Sequence, residues 1–344
     1  FPDMNRAKLS VTLDLRNDEG KGLFKKIVAE SDLVVDNFSA SVMKRLGLNY
    51  DELVKINPSI IQIGMPGMGT TGPLNSWVTY GNNLQSFTGL SMLWGHPESP
   101  MQAHAKGVLP DYVGAGMVAL SSIAALEYSD RTGIGQQIEI CQIDGQGALM
   151  GPAILDYTIN NRSWGSIGYE EPLAANISPF GSYPCKYADT WILIACEKEE
   201  EWMSLANCIG SPELVSDKRF SNRVSRTKNK EALDKLISDW TKSFTPNQAL
   251  FMLQNNKIPS GITLNGEGLH QDIHLRERNH IVKADHSPWG ELEHQGLPGI
   301  PELSLASAAK KAPWIGDDND YVLSKVIGLK EEEIKEGKAK GYIN

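Results

Sequence analysis

Two short apolar runs, Asp32-Leu-Val-Val-Asp36 and Ile60-Ile-Gln-Ile-Gly64, constrain the fold more than any other feature of this sequence. The first is apolar almost without interruption, the mark of a strand covered on both faces in a parallel sheet. Around the two runs stand segments of helical period. One covers Glu19–Ser31, capped by Asn17 or Asp18, with Leu23, Phe24, Ile27 and Val28 on one face. Others lie around Ser41–Leu46 and Asp51–Ile56. Strands alternating with helices make βαβ units, and such units bind ligands at the C-terminal ends of their strands. Val11–Leu15 and Gln136–Ile140 are further strand candidates, and a helix is expected near Asn82–Leu90.

The stretch Gly107-Val-Leu-Pro-Asp-Tyr-Val-Gly-Ala-Gly-Met-Val-Ala-Leu120 predicts a tightly packed helix that opens on Pro110-Asp111 and runs to about Tyr128. Gly114 and Gly116 lower helix propensity and permit close approach of another backbone. Asp111 has two readings. It can satisfy free N–H groups at the helix start, or it can be a reactive carboxylate held ionised by the helix dipole. The turn Ser129–Gly135 closes this helix, and a helical stretch from Asp144 to Ile159 follows the next strand.

Past residue 177 the pattern changes. A hairpin with Trp191–Ala195 as its clearest strand precedes helices at 199–209, 229–243 and 246–254 and a strand at Gly261–Leu264. The chain divides into a large α/β domain at 1–160, a linker at 161–177, a smaller α+β domain at 178–280 and a returning segment at 281–344. The end is helical, near Asp320–Ile327 and Lys330–Lys338.

Acidic residues outnumber basic ones, 42 against 33, which argues against a general nucleic-acid partner. No apolar run near 18 residues stands out, so no membrane span is expected, and no signal-peptide pattern is seen. The four cysteines lack metal-type spacing and read as buried thiols in a reducing cytoplasm. Glu267, His270 and His274 stand at helical spacing but without a second cluster, so surface or capping roles are expected rather than a metal. Gly67-Met-Gly-Thr-Thr-Gly72 matches a dinucleotide-binding pattern, but Pro73 follows at once, where a helix with free N–H groups is required. A glycine loop close to some other ligand fits better. His104, ahead of Lys106 and Asp111, is either near a site or structural. No serine has a nucleophile context.

Several of these pieces stand in order: Ser10-Val-Thr-Leu-Asp-Leu-Arg16, Val34-Val-Asp-Asn-Phe38, Met43-Lys-Arg-Leu-Gly-Leu48, Gly67–Pro73, Thr88-Gly-Leu90, Pro110-Asp-Tyr-Val-Gly-Ala-Gly116 and Thr132-Gly-Ile-Gly-Gln136. Together they resemble the class III CoA-transferases, the formyl-CoA and crotonobetainyl-CoA transferase (CaiB/BaiF) type, over essentially the whole chain. The resemblance implies a Rossmann-like large domain with a parallel sheet, a smaller α+β domain and an interlocked dimer. It also implies a further upstream βαβ segment, which this sequence lacks. The family's nucleophilic aspartate falls on Asp111, and its CoA-binding positions fall on Leu13, Arg16, Asn37, Phe38 and Arg45. Read alone, Arg16 and Arg45 are sooner ordinary surface arginines than ligand contacts. Tyr80 falls where related CoA-thioester racemases carry a histidine, so transfer is favoured over racemisation.

The expected activity is therefore transfer of CoA from an acyl-CoA, with succinyl-CoA a candidate donor, to a free carboxylic acid. It would pass through mixed-anhydride and aspartyl-CoA thioester intermediates on Asp111, with CoA as substrate and no resident cofactor. The formyl-CoA transferase glycine run is missing at Ala174–Tyr183, which points to a larger acid such as a benzylsuccinate-type dicarboxylate. The loop Gly67–Pro73 and the segment around Phe180 are the candidate donors and lid. A CoA-thioester racemase or isomerase, and a non-catalytic subunit of a hetero-oligomer, are the alternatives. The partner is then a second copy or a related subunit.

Overall fold

The computed structural model describes residues 1–93, 109–165, 177–296 and 310–344. It separates into two compact units, Phe1–Ser166 with Asn279–Asn344, and Ile167–Arg278.

In the first unit, α1 (Asp18–Ala29) starts where the Asn17 side chain accepts from the Glu19 N–H, and Leu23 and Val28 are buried. The chain continues through β1 (Leu33–Asp36), α2 (Val42–Leu46), α3 (Tyr50–Leu53) and β2 (Ile61–Gly64) to α4 (Gly81–Phe87) and α5 (Leu90–Leu93). Then come α6 (Leu109–Thr132), β3 (Gln137–Glu139), α7 (Gln142–Gly147) and α8 (Gly151–Asn160). The strands form a parallel sheet in the order β1-β2-β3. Leu33 lies opposite Ile61 and Gln62 opposite Gln137. Ile61 and Ile63 of the central strand are fully buried, with Ala125 of α6 packed over them. Val35 of β1 is half exposed, so β1 is less enclosed than its composition suggests.

Three sequence expectations change. Val11–Leu15 is not a strand: it makes one isolated bridge, Leu13 to Ile343. Its donors go to the C-terminal segment instead, with the Ser10 N–H on the Asp318 carboxylate and the Thr12 N–H on Asn319 Oδ1, each at 2.8 Å. The stretch expected as one helix from Asp144 to Ile159 is two helices, with a 3-10 turn at Ala148–Met150 between them. Gly147 and Gly151-Pro152 mark that break, since glycine is a poor helix former and proline lacks the donor a continuous helix needs. Finally, α6 runs four residues beyond Tyr128, stopping only at Gly133 with φ +73°, and it is long and apolar enough to cross a membrane by length and composition. Its best 18-residue window has mean hydropathy 1.4 and is only 17% buried. Alanine, glycine and serine dilute the pattern without adding charge, which hides the length of the run from inspection.

In the second unit, β4 (Phe180–Pro184) and β5 (Trp191–Ala195) form the expected hairpin, followed by α9 (Glu199–Cys208), α10 (Arg223–Lys228), α11 (Lys230–Thr241) and α12 (Pro246–Asn255). β6 (Ser260–Ile262) completes an antiparallel sheet in the order β4-β5-β6. The core packs Ile192 and Ile194 against Trp202, Leu205, Phe220 and Ile237. Arg226 of α10, 1% exposed, forks onto the Glu199 carboxylate at 2.8 and 2.9 Å and reaches the Ser178 carbonyl. A buried arginine of this kind is tolerated only when fully paired. α13 (Gly266–Gln271) and α14 (Ile273–Glu277) end this unit. His270 lies there against Arg276. Back in the first unit, β7 (Ile281–Asp285) and β8 (Glu291–Gln295) pair as a hairpin, and α15 (Asn319–Tyr321) and α16 (Glu331–Lys340) close the chain. Leu13 packs there with Leu23, Leu323 and Ile343.

Candidate active site

The C-terminal ends of the three parallel strands converge on one face. β1 delivers Asp36, Asn37 and Phe38, β2 leads into Met65, Pro66 and Gly67, and β3 leads through Cys141 to Gln142. A cavity of about 370 Å³ opens there, lined by Asn37, Phe38, Gly67, Tyr80, Asp111 and Gln142. A second recess of about 280 Å³ shares Phe38, Ser39, Ala40 and Pro66 with the first and adds Asp36, Lys44 and Glu139. Phe38, which lines both, is half exposed. A volume of this order holds a small diacid or one arm of a larger ligand.

Asp111 is the third residue of α6, behind the buried Pro110. Among the described residues no group hydrogen-bonds its carboxylate, so it does not serve as a cap. Burial raises its pKa above the ordinary carboxylate value. The dipole argument expected a carboxylate favoured in its ionised form; removal from water acts in the opposite direction. The result is a carboxylate more basic than usual at a cavity wall.

Close packing explains the glycine loop. A Cβ on Gly67 would sit 2.2 Å from Thr79 Oγ1, and one on Gly69 would crowd Glu139 and Cys141 at 3.2 and 3.4 Å. Gly69 and Gly72 also have φ of +78° and +85°, values that favour glycine. The Glu139 carboxylate holds the loop by accepting from the Thr70 N–H at 3.0 Å and from the Thr70 hydroxyl. α4 begins only at Gly81, so the loop does not open a helix. The Tyr80 N–H donates to Asn83 Oδ1 at 3.3 Å at that helix start, and the Tyr80 side chain is largely exposed.

Asn37, Phe38, Tyr80 and Asp111 thus share one cavity, while Leu13, Arg16 and Arg45 line neither it nor the recess. Leu13 is part of the C-terminal cluster. Arg16 is 88% exposed and paired with Asp14 at 3.0 Å, and Arg45 donates to the Ser41 hydroxyl on the exposed side of α2. The cation that α2 brings to the recess is Lys44. Asp36, also in the recess, has its pKa raised by burial while its carboxylate accepts from the Phe38 N–H at 3.2 Å. Phe180 pairs opposite Ala195 in the second unit. His104 and Lys106 lie outside the described residues, as does Ala174–Asn176. Sequence reading missed Lys44, Glu139 and Gln142. The signal that finds the last two is the rule that ligands bind at the C-terminal ends of parallel strands: Glu139 ends β3 and Gln142 follows shortly after.

Comparison with known proteins identifies the family. The model of CoA-transferase family III matches residues 1–319. The chain is 30% identical over 346 residues to the succinyl-CoA--D-citramalate CoA-transferase of Chloroflexus aurantiacus, covering 100% of this chain and 84% of that protein. It is 25% identical over 348 residues to the succinyl-CoA--L-malate CoA-transferase beta subunit of the same organism, covering 98% and 83%. Among solved structures it resembles a CaiB/BaiF family protein from Brucella suis, with a TM-score of 0.84 at 26% identity over 94% of this chain and 82% of that one.

Proposed function

The chain belongs to CoA-transferase family III, and we propose that it moves CoA from succinyl-CoA to a free dicarboxylic acid through covalent intermediates on Asp111. That it is an enzyme transferring CoA between an acyl-CoA and a carboxylate follows from the family. The finer reading rests on one observation: a carboxylate of raised basicity, without a hydrogen-bond partner among the described residues, in a cavity at the C-terminal ends of the parallel strands.

In this mechanism an Asp111 oxygen attacks the donor thioester carbon and CoA leaves as the thiolate, giving a mixed aspartyl–acyl anhydride. The thiolate then attacks the Asp111 carbonyl carbon and releases the donor acid, leaving an aspartyl-CoA thioester. The acceptor carboxylate attacks that thioester, and the same steps in reverse hand CoA to it. A carboxylate is a weak nucleophile, so the rate comes from near-attack positioning and from water exclusion, which also protects both intermediates from hydrolysis. Dicarboxylates are the preferred acceptors because the relatives are named for D-citramalate and L-malate. A benzylsuccinate-type acid belongs in the same screen. Tyr80, rather than a histidine, lines the cavity, which supports transfer over α-proton exchange.

Incubation with succinyl-CoA followed by hydroxylamine and peptide mass spectrometry is expected to find the modification on the Asp111 peptide. Unmodified peptide under turnover conditions, or Asp111→Ala with normal turnover, would end this reading. The partner proposed is a second copy of the chain. Leu120 and Ile123 of α6, and Leu149, Ile154, Leu155 and Ile159 around α8, are exposed, an apolar surface of the kind that marks an interface.

A further inference from the structure

Gln142 stands at the first position of α7, and its backbone is docked. Its N–H donates to the Pro66 carbonyl and that of Ile143 to the Gly67 carbonyl, both at 3.2 Å. The side chain is 4% exposed. Its Nε2 donates one hydrogen to the main-chain carbonyl of Met65 at 3.2 Å and the other to Asn37 Oδ1 at 2.9 Å. A main-chain carbonyl can only accept, so the end of Gln142 that meets Met65 must be the NH2 group. Asn37 must then meet it with its own oxygen. The Met65 carbonyl therefore sets the orientation of both amides. Asn37 is exposed, and its Nδ2 has no hydrogen-bond partner among the described residues, so two N–H donors remain for a ligand in the cavity that Asp111 lines. The arrangement has a local penalty: Gln142 Oε1 is buried without a partner. Packing alone does not require this, since a methionine fills a similar volume with no orphaned oxygen.

We propose that Gln142 is a positioning residue that locks Asn37 as a hydrogen-bond donor to the thioester carbonyl oxygen under attack by Asp111. The inference rests on the transfer reading above. As the Asp111 oxygen bonds to the thioester carbon, the carbonyl π pair moves onto oxygen, and the Asn37 N–H groups face the charge that develops there. When the C–S bond breaks, the pair returns, the thiolate leaves, and no proton is transferred to or from Asn37. A donor fixed beforehand spends nothing on reorientation during the reaction.

The test uses the full chain with succinyl-CoA and an acceptor acid found active for the wild type. Gln142→Glu keeps the shape and reverses the polarity: an ionised carboxylate can only accept, and a protonated one has a single hydrogen that the Met65 carbonyl takes, so in either state Asn37 must turn its NH2 inward and show its oxygen to the cavity. The expected result is a fall in kcat on the order of 100-fold near pH 8, with the dissociation constant for CoA changed by less than about threefold. Lowering the pH should not restore the ratio of variant to wild-type kcat, because the protonated carboxyl has no second hydrogen for Asn37. Asn37→Asp should lose a similar factor, and the double variant no more than either single one. A kcat within about twofold of wild type for Gln142→Glu across the pH range, or losses that multiply in the double variant, overturns the proposal. So does a loss that falls equally on CoA affinity and melting temperature, which marks a structural role. Failure of the wild type itself to form an Asp111 adduct refutes the transfer reading instead.

Discussion

Asp111 carries the cost of its position. Its pKa is raised because burial disfavours the charge, so at neutral pH the folded state holds an ion that the unfolded chain would hold more cheaply. The sign follows from linkage: a carboxylate with a raised folded pKa stabilises the fold below its unfolded pKa and loses that contribution as pH rises through the folded one. Asp111→Asn should therefore raise the melting temperature at pH 7 while abolishing transfer, and the difference in melting temperature should shrink as pH is lowered. Wild-type kcat/KM should fall on the acid side with an apparent pKa above the ordinary carboxylate value, since the nucleophile must be ionised. A pH–rate profile and paired thermal melts check both. Asp156 is the opposite case. Arg162 first, then Asn160 and Trp164, bond its carboxylate and hold its pKa down at about 2. Its contribution is present above the ordinary carboxylate pKa and is lost as pH falls through about 2. Asp156→Asn is expected to melt lower at pH 7, with the gap closing in strong acid, as followed by tryptophan fluorescence.

The elements are held to one another by close approaches that only glycine allows. A Cβ on Gly135 would lie 2.0 Å from the Ile60 carbonyl oxygen, where the chain enters β3 beside β2. Backbone cannot give as a flexible side chain can, so Gly135→Ala should destabilise by roughly 1–3 kcal/mol. The damage should reach the site, because β3 carries Glu139 and leads to Gln142. Chemical denaturation with a parallel kcat measurement tests this. Gly114 is a milder case. Its Cβ would meet Met65 Sδ at 2.5 Å and that of Gly145 would meet Met117 Sδ at 2.8 Å, thioethers that can move. The first contact lets α6 approach the segment after β2 and the second lets α7 approach α6, and they explain glycines that otherwise weaken a helix.

On the scale of the whole molecule, α6 has two sides of different use. Gly114 and Ala125 pack inward, while Leu120 and Ile123 are exposed. A second copy covering this surface predicts a dimer in light scattering, dissociated by Leu120→Glu combined with Ile123→Glu. A monomeric wild type at micromolar concentration would count against it. The second unit has its own core, which includes Ile192, Ile194, Trp202 and Phe220.

The sequence alone determined the elements and their class, because apolar continuity in Leu33–Asp36 and Ile61–Gly64 and helical period around them are local properties of the chain. It also singled out Asp111, Asn37, Phe38 and Tyr80, through residue order shared with a family. Three matters were left to the tertiary structure. Val11–Leu15 has strand composition but finds its partners in Asp318, Asn319 and Ile343, some three hundred positions away. The balance of dipole and burial at Asp111 depends on what surrounds it, and so does the orientation of Asn37, which is fixed by Gln142 and the Met65 carbonyl. Hydrogen-bond polarity and desolvation are properties of neighbours in space, and a linear pattern does not contain them.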